Sequence, residues 1–504
     1  MAKLRIINEI HQNREYFHSI FWIFYYLCSM NNKIITSLTK QYWPYGLICI
    51  WAVACWTFFQ FCYPYHLFFQ EQNQLFLWSW DYISSYTGPG WLATLTGDFL
   101  TQFYYYLYIG ATILTLCLTA TGMILYRALR HFKVDRIVSL ALALVLMTFM
   151  AVCHFSTSYR LSSTIAIMGW VLLLWLISLT KGWKKRAVVC CCGLLPTWLL
   201  FGLPPMKKLQ GPDFILEKDF AVDCEYYFGN HDKVIRLIEG SDRWTDQMLF
   251  FYNLVQAQRG QLPDHLLKFT PNYLGTFEKI GPKTPMLTIR NMNELYWTLG
   301  DMTFTERAAM MTNVFSHNNR NVRMIRRLAE CNIVSSDTLA AEKYLRILDK
   351  TWVYTKWAEN IRQHGRQIYQ KKILMVNAGD TISISDNAHF LMMQLLNANP
   401  DNTIALDYIL CSDLLLKDID SFKRDYDRYC IETGKPRLKS LYQEALCIWL
   451  AGTDASQKEW ETYIQRGDVF QRFQQYNQLR GDSRFKDTYW YYFDKAKVPE
   501  VKLK

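Results

Sequence analysis

The sequence predicts an all-α membrane protein, in which an N-terminal bundle of about five transmembrane helices precedes a soluble α-helical domain. Three observations support this fold class. Five long apolar stretches lie within residues 42–204, and none has a charged residue in its core. Residues 205–504 show the patterns of amphipathic helices separated by turns. The charged residues divide at the same point. Residues 1–204 contain 14 Lys/Arg and 6 Asp/Glu, whereas residues 205–504 contain 41 Lys/Arg and 38 Asp/Glu.

Residues 1–41 are predicted to be a cytoplasmic or interfacial segment. Its apolar part, Ile20–Met30, is only about a dozen residues long. A membrane span needs about 20 residues, so an interfacial helix fits this part better. No small-residue cleavage site accompanies it, which argues against a signal peptide. Met30 is an alternative start of the chain.

The five predicted spans form a transmembrane domain over residues 42–204. A soluble protein very rarely buries five apolar stretches of this length. The stretches are Tyr45–Tyr63, Phe103–Tyr126, Ile137–Phe155, Leu161–Thr180 and Ala187–Leu203. The lipid bilayer is therefore the first predicted partner.

The predicted orientation follows from basic residues in short loops, which are enriched on the cytoplasmic side. Loops 127–136 and 181–186 each contain four Lys/Arg, whereas residues 64–102 contain none. Five spans that start in the cytoplasm end outside it. Residues 205–504 are therefore predicted on the periplasmic side of a bacterial inner membrane. Lys207 and Lys208, directly after the last span, oppose this orientation but are outnumbered.

The outward loop 64–102 contains the acidic candidates for catalysis, Glu71, Asp81 and Asp98. Membrane glycosyltransferases that use lipid-linked sugars often carry an acidic residue in the first outward loop, as a base or metal ligand. The competing interpretation, which we favour, is that these residues are solvated or cap helices. The loop shows no motif of paired acids, and such enzymes usually have more spans. No charged residue lies in the middle of a span, which argues against an ion-coupled transporter.

Residues 205–504 are predicted to form a soluble helical-repeat domain. A set of small and apolar residues resembles a tetratricopeptide repeat, in which a small residue of one helix packs against a small residue of the next: Leu328, Ala329, Ala341, Leu345 and Leu348. Asn399-Pro400 resembles the proline that closes such a repeat. The resemblance implies stacked helix pairs with a concave groove, and a plain helical bundle is the alternative. Only residues 372–376 and 381–384 have a pattern of extended structure.

Four arginines, Arg320, Arg323, Arg326 and Arg327, lie along one face of a predicted helix. Arg323 and Arg327 are one turn apart, which suits bidentate contacts with acidic groups. Arg320, Arg323 and Arg327 are therefore candidates for binding an acidic partner or lipid headgroups. A solvated helix face is the competing interpretation. The predicted location outside the cytoplasm argues against nucleic acid as a ligand.

The sequence lacks the motifs of nucleotide, cofactor and metal sites. It has no GxxxxGK[ST] or GxGxxG loop, no HExxH or GxSxG motif and no metal-spaced His/Cys cluster. We therefore predict no cofactor, no metal and no nucleotide. The ten histidines are scattered, and His317 and His389, which lie beside turns, are interpreted as ordinary surface residues.

Three runs of the sequence carry a resemblance to a family: Gln70–Trp78, Gly97–Phe103 and Arg327–Ile333. With the layout from about Met30 onward, they resemble an uncharacterised family of Bacteroidetes integral membrane proteins, a domain of unknown function. The resemblance implies the architecture. It supplies no activity and no functional residues.

Two functions remain open from the sequence. The first is a membrane-anchored helical-repeat scaffold that binds a protein partner outside the cytoplasm, because the soluble half shows repeats and no catalytic motif. The alternative is a glycosyltransferase-like membrane enzyme that acts on a lipid-linked envelope substrate through the acidic outward loop. Neither function involves nucleic acid.

Overall fold

The computed structural model describes residues 34–203, 209–269, 284, 286–376 and 387–497. Across these residues every regular element is a helix and no strand is present, so the all-α prediction is confirmed. The predicted interfacial segment Ile20–Met30, with the alternative start at Met30, lies outside the described residues.

The membrane half, residues 34–203, is a bundle of long helices with shorter helices at one end. Its helices are α1 (Ile34–Thr57), which continues into a π-helical turn at Phe58–Cys62, α2 (Pro64–Gln72), α3 (Trp80–Ser84), α4 (Trp91–Thr101), α5 (Ile109–His131), α6 (Arg136–Cys153), α7 (Leu161–Leu179) and α8 (Trp183–Phe201). The predicted outward loop 64–102 therefore contains α2, α3 and α4.

Four helices of the described chain are long and apolar enough to cross a membrane, namely Tyr42–Cys62, α5, α6 and α7. The fifth predicted span forms α8. Lys184, Lys185 and Arg186 occupy the first turn of α8, which leaves an apolar stretch shorter than the ~20 residues of a typical span. Four helices therefore have the length and composition of a span, one fewer than the sequence predicts, and α8 is a shorter fifth member of the bundle.

Helix α8 runs beside α7 in the opposite direction. Leu173 of α7 packs over Gly193, and nearer the start of α7 the Trp170 Nε1 donates to the carbonyl of Gly202 at 2.7 Å. Leu195 on the outer side of α8 is exposed, as the lipid-facing side of a membrane helix is. Helix α8 thus returns the chain to the end of the bundle that carries α2–α4.

Local sequence explains two features of this bundle. A Cβ on Gly97 of α4 would lie 2.5 Å from the backbone nitrogen of Ser162, so only glycine allows α4 to lie directly against α7. At the opposite end, the Asp135 side chain accepts from the N–H of Ile137 at 2.7 Å and caps α6. The close contact at Gly97 fixes the position of α4 within the bundle.

The soluble half contains α9 (Phe214–Tyr227), α10 (His231–Glu239), α11 (Asp246–Gln258), α12 (Leu262–His265), α13 (Met286–Leu299), α14 (Met302–Phe315), α15 (Val322–Val334), α16 (Thr338–Leu348), α17 (Thr355–Ile368) and α18 (Gln370–Val376). It continues with α19 (Ala388–Ala398), α20 (Thr403–Leu415), α21 (Ile419–Tyr426) with a π-helical turn at Asp427–Ile431, α22 (Ser440–Gly452), α23 (Gln457–Tyr463), α24 (Gly467–Gln478) and α25 (Tyr489–Lys495).

The described part of this half contains four apolar clusters, of which two are large. The larger core joins early and late helices, since Phe251 of α11 and Leu295 of α13 belong to the same buried cluster as Tyr408 of α20 and Leu446 of α22. The second core lies among α14–α17, and Leu75 of the membrane half is buried in it. Burial of apolar surface therefore joins the two halves.

Consecutive helices pair from α13 to α17, and the first helices of successive pairs begin at residues 286, 322 and 355. The small residues Ala329 and Ala341 are both buried. Residues 372–376, predicted to be extended, form α18 instead, because a short apolar run does not distinguish a strand from a helix. Residues 381–384 lie outside the described residues.

The soluble half is seated on loop 64–102 of the membrane half. The N–H of Trp78 donates to Lys350 O at 2.6 Å, and the N–H of Val322 donates to Gln74 O at 3.0 Å. We call this junction the seam: α2, residues 73–79 and α4 on one side, and α9, α15 and residues 350–354 on the other. The loop and the soluble half therefore occupy the same end of the bundle, opposite the α5–α6 and α7–α8 turns.

Candidate functional site

The seam begins where α2 starts, at Pro64. The first N–H groups of a helix have no acceptor within the helix. Here the N–H groups of Tyr65 and His66 donate to Glu217 Oε1 and Oε2 at 2.6 and 3.0 Å. Burial raises the pKa of the Glu217 carboxyl to about 8, although these two donors lower it. A carboxyl group of the soluble half thus caps a helix of the membrane half.

Glu71, the first acidic candidate, lies in the last turn of α2 and is 2 % exposed. The Tyr354 hydroxyl donates to its Oε1 at 2.9 Å, and Gln72 Nε2 donates to its Oε2 at 3.0 Å. Burial raises the pKa of this carboxyl to about 8, against the opposing effect of the two donors. Glu71 is therefore a buried contact of the seam, out of reach of a ligand in solvent.

Asp98 and Asp81 lie in different surroundings. Asp98 is buried in α4, where the Tyr86 hydroxyl donates to its Oδ2 at 2.9 Å. His317 Nε2 lies 3.7 Å from the same oxygen. Asp81 is exposed in the first turn of α3. The structure therefore does not bring the three acidic candidates together, and Asp98 faces His317, which lines a cleft.

This cleft, which we call the seam cleft, has a volume of about 360 Å³ and lies between α2, the α6–α7 turn and helices α13 and α14. Its polar lining comes from Gln70, Asn73, Thr157, Ser158, Arg160, Ser316 and His317, and its apolar lining from Phe69, Met286 and Phe315. The α6–α7 turn joins two candidate spans, so the seam cleft lies at the end of these two helices.

The cation of the seam cleft is Arg160, which directly precedes α7. Its Nη1 donates to the neutral Gln74 Oε1 at 3.2 Å, and within the described residues it forms no ion pair. Burial lowers its pKa, opposed by the nearby Asp98 carboxylate. The Gln70 Oε1 atom is buried and accepts no hydrogen bond from a described residue. The cleft therefore holds a cation and a polar group with unused hydrogen-bonding capacity.

The predicted binding arginines lie in a different environment. Arg323 is 2 % exposed; its Nη1 donates to both Asp223 carboxylate oxygens at 3.0 and 2.9 Å, and its Nη2 to Glu294 Oε1 at 2.8 Å. Arg327 donates to Glu294 Oε2 at 2.6 Å, and Arg290 pairs with Asp223. Burial alone would raise the pKa of Glu294, but Arg327 and Arg323 hold it at about 2. We call these residues the arginine network.

The arginine network connects α9, α13 and α15 beneath the seam. Its guanidinium groups also face aromatic rings, with Arg290 4.9 Å from the Phe69 ring centre and Arg323 4.8 Å from that of Tyr227. Arg320 lies outside the network, 4.4 Å over the ring of Tyr82. The partners of Arg323 and Arg327 are thus internal carboxylates, and these two side chains do not form a solvated face.

Sequence reasoning missed the residues that line the seam cleft. His317 was interpreted as an ordinary surface residue, yet it lines the cleft and faces Asp98. One signal was available for Arg160, because it is the single basic residue in the short turn between the third and fourth predicted spans. Gln70 has no such signal, since its role depends on residues distant in the chain.

Fold and cleft together define a class: a helical protein with four candidate membrane spans, whose C-terminal helical half packs over a loop between the first two of these spans. The chain belongs to a family of unknown function, DUF6057, whose model matches residues 40–206 and 187–496. This agrees with the resemblance to an uncharacterised membrane protein family. No curated protein and no solved structure matches the chain.

Proposed function

We propose that this protein binds the anionic headgroup of a membrane amphiphile in the seam cleft. The observation that carries the proposal is Arg160, a partly buried cation that has a neutral hydrogen-bond partner and, among the described residues, no ion pair. A guanidinium group binds phosphate or carboxylate through two parallel hydrogen bonds. Thr157 lines the same cleft and offers a further hydroxyl group.

The residues that line the seam cleft favour an amphiphilic ligand over a fully water-soluble anion. Phe69, Met286 and Phe315 form an apolar side of the seam cleft, and Phe315 and the neighbouring Val314 are exposed. The α6–α7 turn supplies Arg160 at the level where two spans end. A headgroup can occupy the polar side while its chain stays in the bilayer, so the ligand need not leave the membrane.

The charge pattern supports an extracytoplasmic position for the cleft. Loops 127–136 and 181–186, each with four Lys/Arg, lie at the opposite end of the bundle from loop 64–102, which has none. Under the positive-inside rule, the seam and the soluble half face outward, the periplasm in a bacterial inner membrane. Lipids of the cell envelope can reach the cleft at this location.

An enzymatic version of this proposal uses different residues from the three acidic candidates. His317 lines the seam cleft, and its Nε2 faces the buried Asp98 carboxylate. A histidine positioned by a carboxylate is a common proton acceptor in enzymes. In a transfer reaction on a lipid-linked substrate, His317 would accept the proton of the attacking hydroxyl group. Glu71 and Asp81 would not contact the substrate.

A scaffold is the second candidate function, supported by the consecutive helix pairs of α13–α17. Paired helices that stack in this way, as in tetratricopeptide repeats, present extended binding surfaces. Leu339 at the start of α16 is 86 % exposed, an apolar position suited to a protein partner. If a partner binds there, Leu339→Asp should reduce the size of the complex extracted in mild detergent to that of the chain alone, as measured by native mass spectrometry.

The test of the cleft uses the full chain in detergent with Arg160→Gln. The midpoint of thermal unfolding of the wild type should rise on addition of phosphatidylglycerol, and much less on addition of phosphatidylcholine with the same chains. Losing one charged hydrogen-bonding group costs about 1.5–3 kcal/mol, so Arg160→Gln should need at least about tenfold more phosphatidylglycerol for the same shift.

Arg346→Gln is the matched control, because Arg346 is an exposed arginine that pairs with Glu342 on α16. It should respond as the wild type does. An equal response of Arg160→Gln would refute the proposal. If inorganic phosphate produced the full shift of the wild type, the ligand would be a soluble anion instead of a lipid headgroup.

A further inference from the structure

Three side chains that are far apart in the sequence meet where α19, α20 and α21 pack together. His389 Nδ1 lies 3.6 Å from Asp413 Oδ1, and His389 Nε2 lies 3.1 Å from Asp425 Oδ2. One nitrogen or oxygen atom from each residue lies within 4.8 Å of the other two. The group is formed by tertiary packing, because each residue comes from a different helix.

The carboxylates of this group are compensated less fully than Asp407, another buried acid of the soluble half. Asp413 and Asp425 are 5 % and 1 % exposed; Asp413 Oδ2 accepts no hydrogen bond from a described residue, and Asp425 Oδ2 faces the His389 ring nitrogen. By contrast, Asp407 is buried against Arg437, whose Nη2 lies 2.5 Å from both carboxylate oxygens. A buried carboxylate oxygen without a hydrogen-bond donor is costly, and Asp413 Oδ2 is in that position, which indicates that a further cation can bind here.

The neighbouring cations do not supply this charge. Arg424 approaches Asp425 Oδ1 only to 3.9 Å, and its side chain is 65 % exposed. His389 can carry one positive charge, whereas the two carboxylates carry two negative charges. The net negative charge of the group and its unused oxygen atom therefore allow it to bind a divalent ion.

We propose that His389, Asp413 and Asp425 bind a divalent first-row transition metal ion such as Zn²⁺. Imidazole nitrogen and carboxylate oxygen are ligands of such ions at about 2.0–2.2 Å. Two ligand atoms of a tetrahedral ion lie about 3.4 Å apart, so small side-chain rotations bring the three ligand atoms, which lie within 4.8 Å of one another, to that separation. The ion binds one ring nitrogen and both carboxylates, and water completes its coordination.

The position of the group suits a structural ion with access from solvent. His389 is 34 % exposed, so the ion can enter past the imidazole ring. The ion would tie the start of α19 to the ends of α20 and α21. None of these helices lines the seam cleft, so the metal site is independent of the proposed headgroup site.

The test is equilibrium dialysis of the full chain in detergent against Zn²⁺, with the bound metal measured by mass spectrometry and no polyhistidine tag present. The wild type should bind about one Zn²⁺ at this site. His389→Gln and Asp425→Asn should each weaken binding at least about tenfold. His364→Gln is the matched control, since His364 is an exposed histidine on α17, and it should bind as the wild type does.

A second measurement does not depend on the folding of variants. X-ray absorption of the Zn²⁺-loaded wild type should show oxygen and nitrogen ligands, the scattering pattern of one imidazole and no sulfur. Unchanged binding by folded His389→Gln would overturn the proposal and leave His389 as an imidazolium bridge between two aspartates. A sulfur ligand would also overturn it, because the ion would then occupy a cysteine site.

Discussion

The arginine network and the seam cleft both contain buried charges, but only the network matches each charge with an opposite one. In the network, Arg323 and Arg327 share Glu294 between them, and Arg323 and Arg290 share Asp223. In the cleft, Arg160 faces the neutral Gln74. Burial of an arginine therefore does not by itself indicate a function. An arginine that forms ion pairs inside the fold stabilises it, whereas one without an ion pair is available to a ligand.

The largest expected effect comes from breaking the closed network. Arg323→Leu removes the side chain that joins Asp223 to Glu294, and it should lower the free energy of unfolding by about 3–5 kcal/mol, because buried carboxylates lose a partner. Denaturant unfolding of the purified chain in detergent measures this loss. Arg346→Leu, at an exposed ion pair, should change the same quantity by less than about 0.5 kcal/mol. Equal effects of the two variants would contradict the comparison.

A smaller effect, which depends on pH, is expected at Glu71, a buried carboxyl with neutral partners. Its pKa is raised from 4.5 to about 8 by burial, so its contribution to stability is complete below pH 4.5 and is lost as the pH rises through about 8. Glu71→Gln should therefore be more stable than the wild type at pH 9, by about 2 kcal/mol, and nearly equal to it at pH 5. Thermal unfolding at both pH values checks the sign. A lower stability of Glu71→Gln at pH 9 would contradict it.

The Tyr354 hydroxyl donates to Glu71 and accepts from Gln72 Nε2. Tyr354→Phe should cost about 1 kcal/mol at pH 9, where the ionised Glu71 needs the donor most. In the Glu71→Gln background the cost should shrink, since a hydrogen bond to a neutral acceptor is weaker. A double-mutant cycle at pH 9 measures this coupling. Equal costs in both backgrounds would show that the hydroxyl acts independently of the charge.

The smallest effect on stability is expected in the open cleft. Arg160→Leu removes a cation whose described acceptor is a neutral amide, so the free energy of unfolding without lipid should change by less than about 1 kcal/mol. The same variant should lose the stabilisation by phosphatidylglycerol. A loss of several kcal/mol without lipid would place Arg160 with the closed network and remove the distinction between the two regions.

Part of the fold was predictable because it depends on local pattern. Long apolar runs without charge predict α5, α6 and α7, whose bounds differ from the predicted spans by a few residues. The prediction was less accurate for α8, since the cluster at residues 184–186 shortens its apolar part. It was wrong for residues 372–376, where a short apolar run fits a strand and a helix equally well.

The candidate site was less predictable because its geometry is nonlocal. The sequence indicated that these arginines share one face of α15. It did not indicate that this face is buried, because the partners Asp223 and Glu294 lie on other helices. Asp98 was recognised as a candidate, whereas His317, which faces it, lies in the other half of the chain. The residues of the proposed metal site had no spacing signal, since His389, Asp413 and Asp425 come from three helices.

The sequence by itself determined the helical content, the division into a membrane half and a soluble half, and the end of the bundle at which the basic loops lie. These depend on apolar periodicity and local charge, which a chain carries before it folds. Only the tertiary structure decided which charges are paired. Arg323 meets Asp223, and Arg160 meets the neutral Gln74, because helix packing sets the partners of a buried charge.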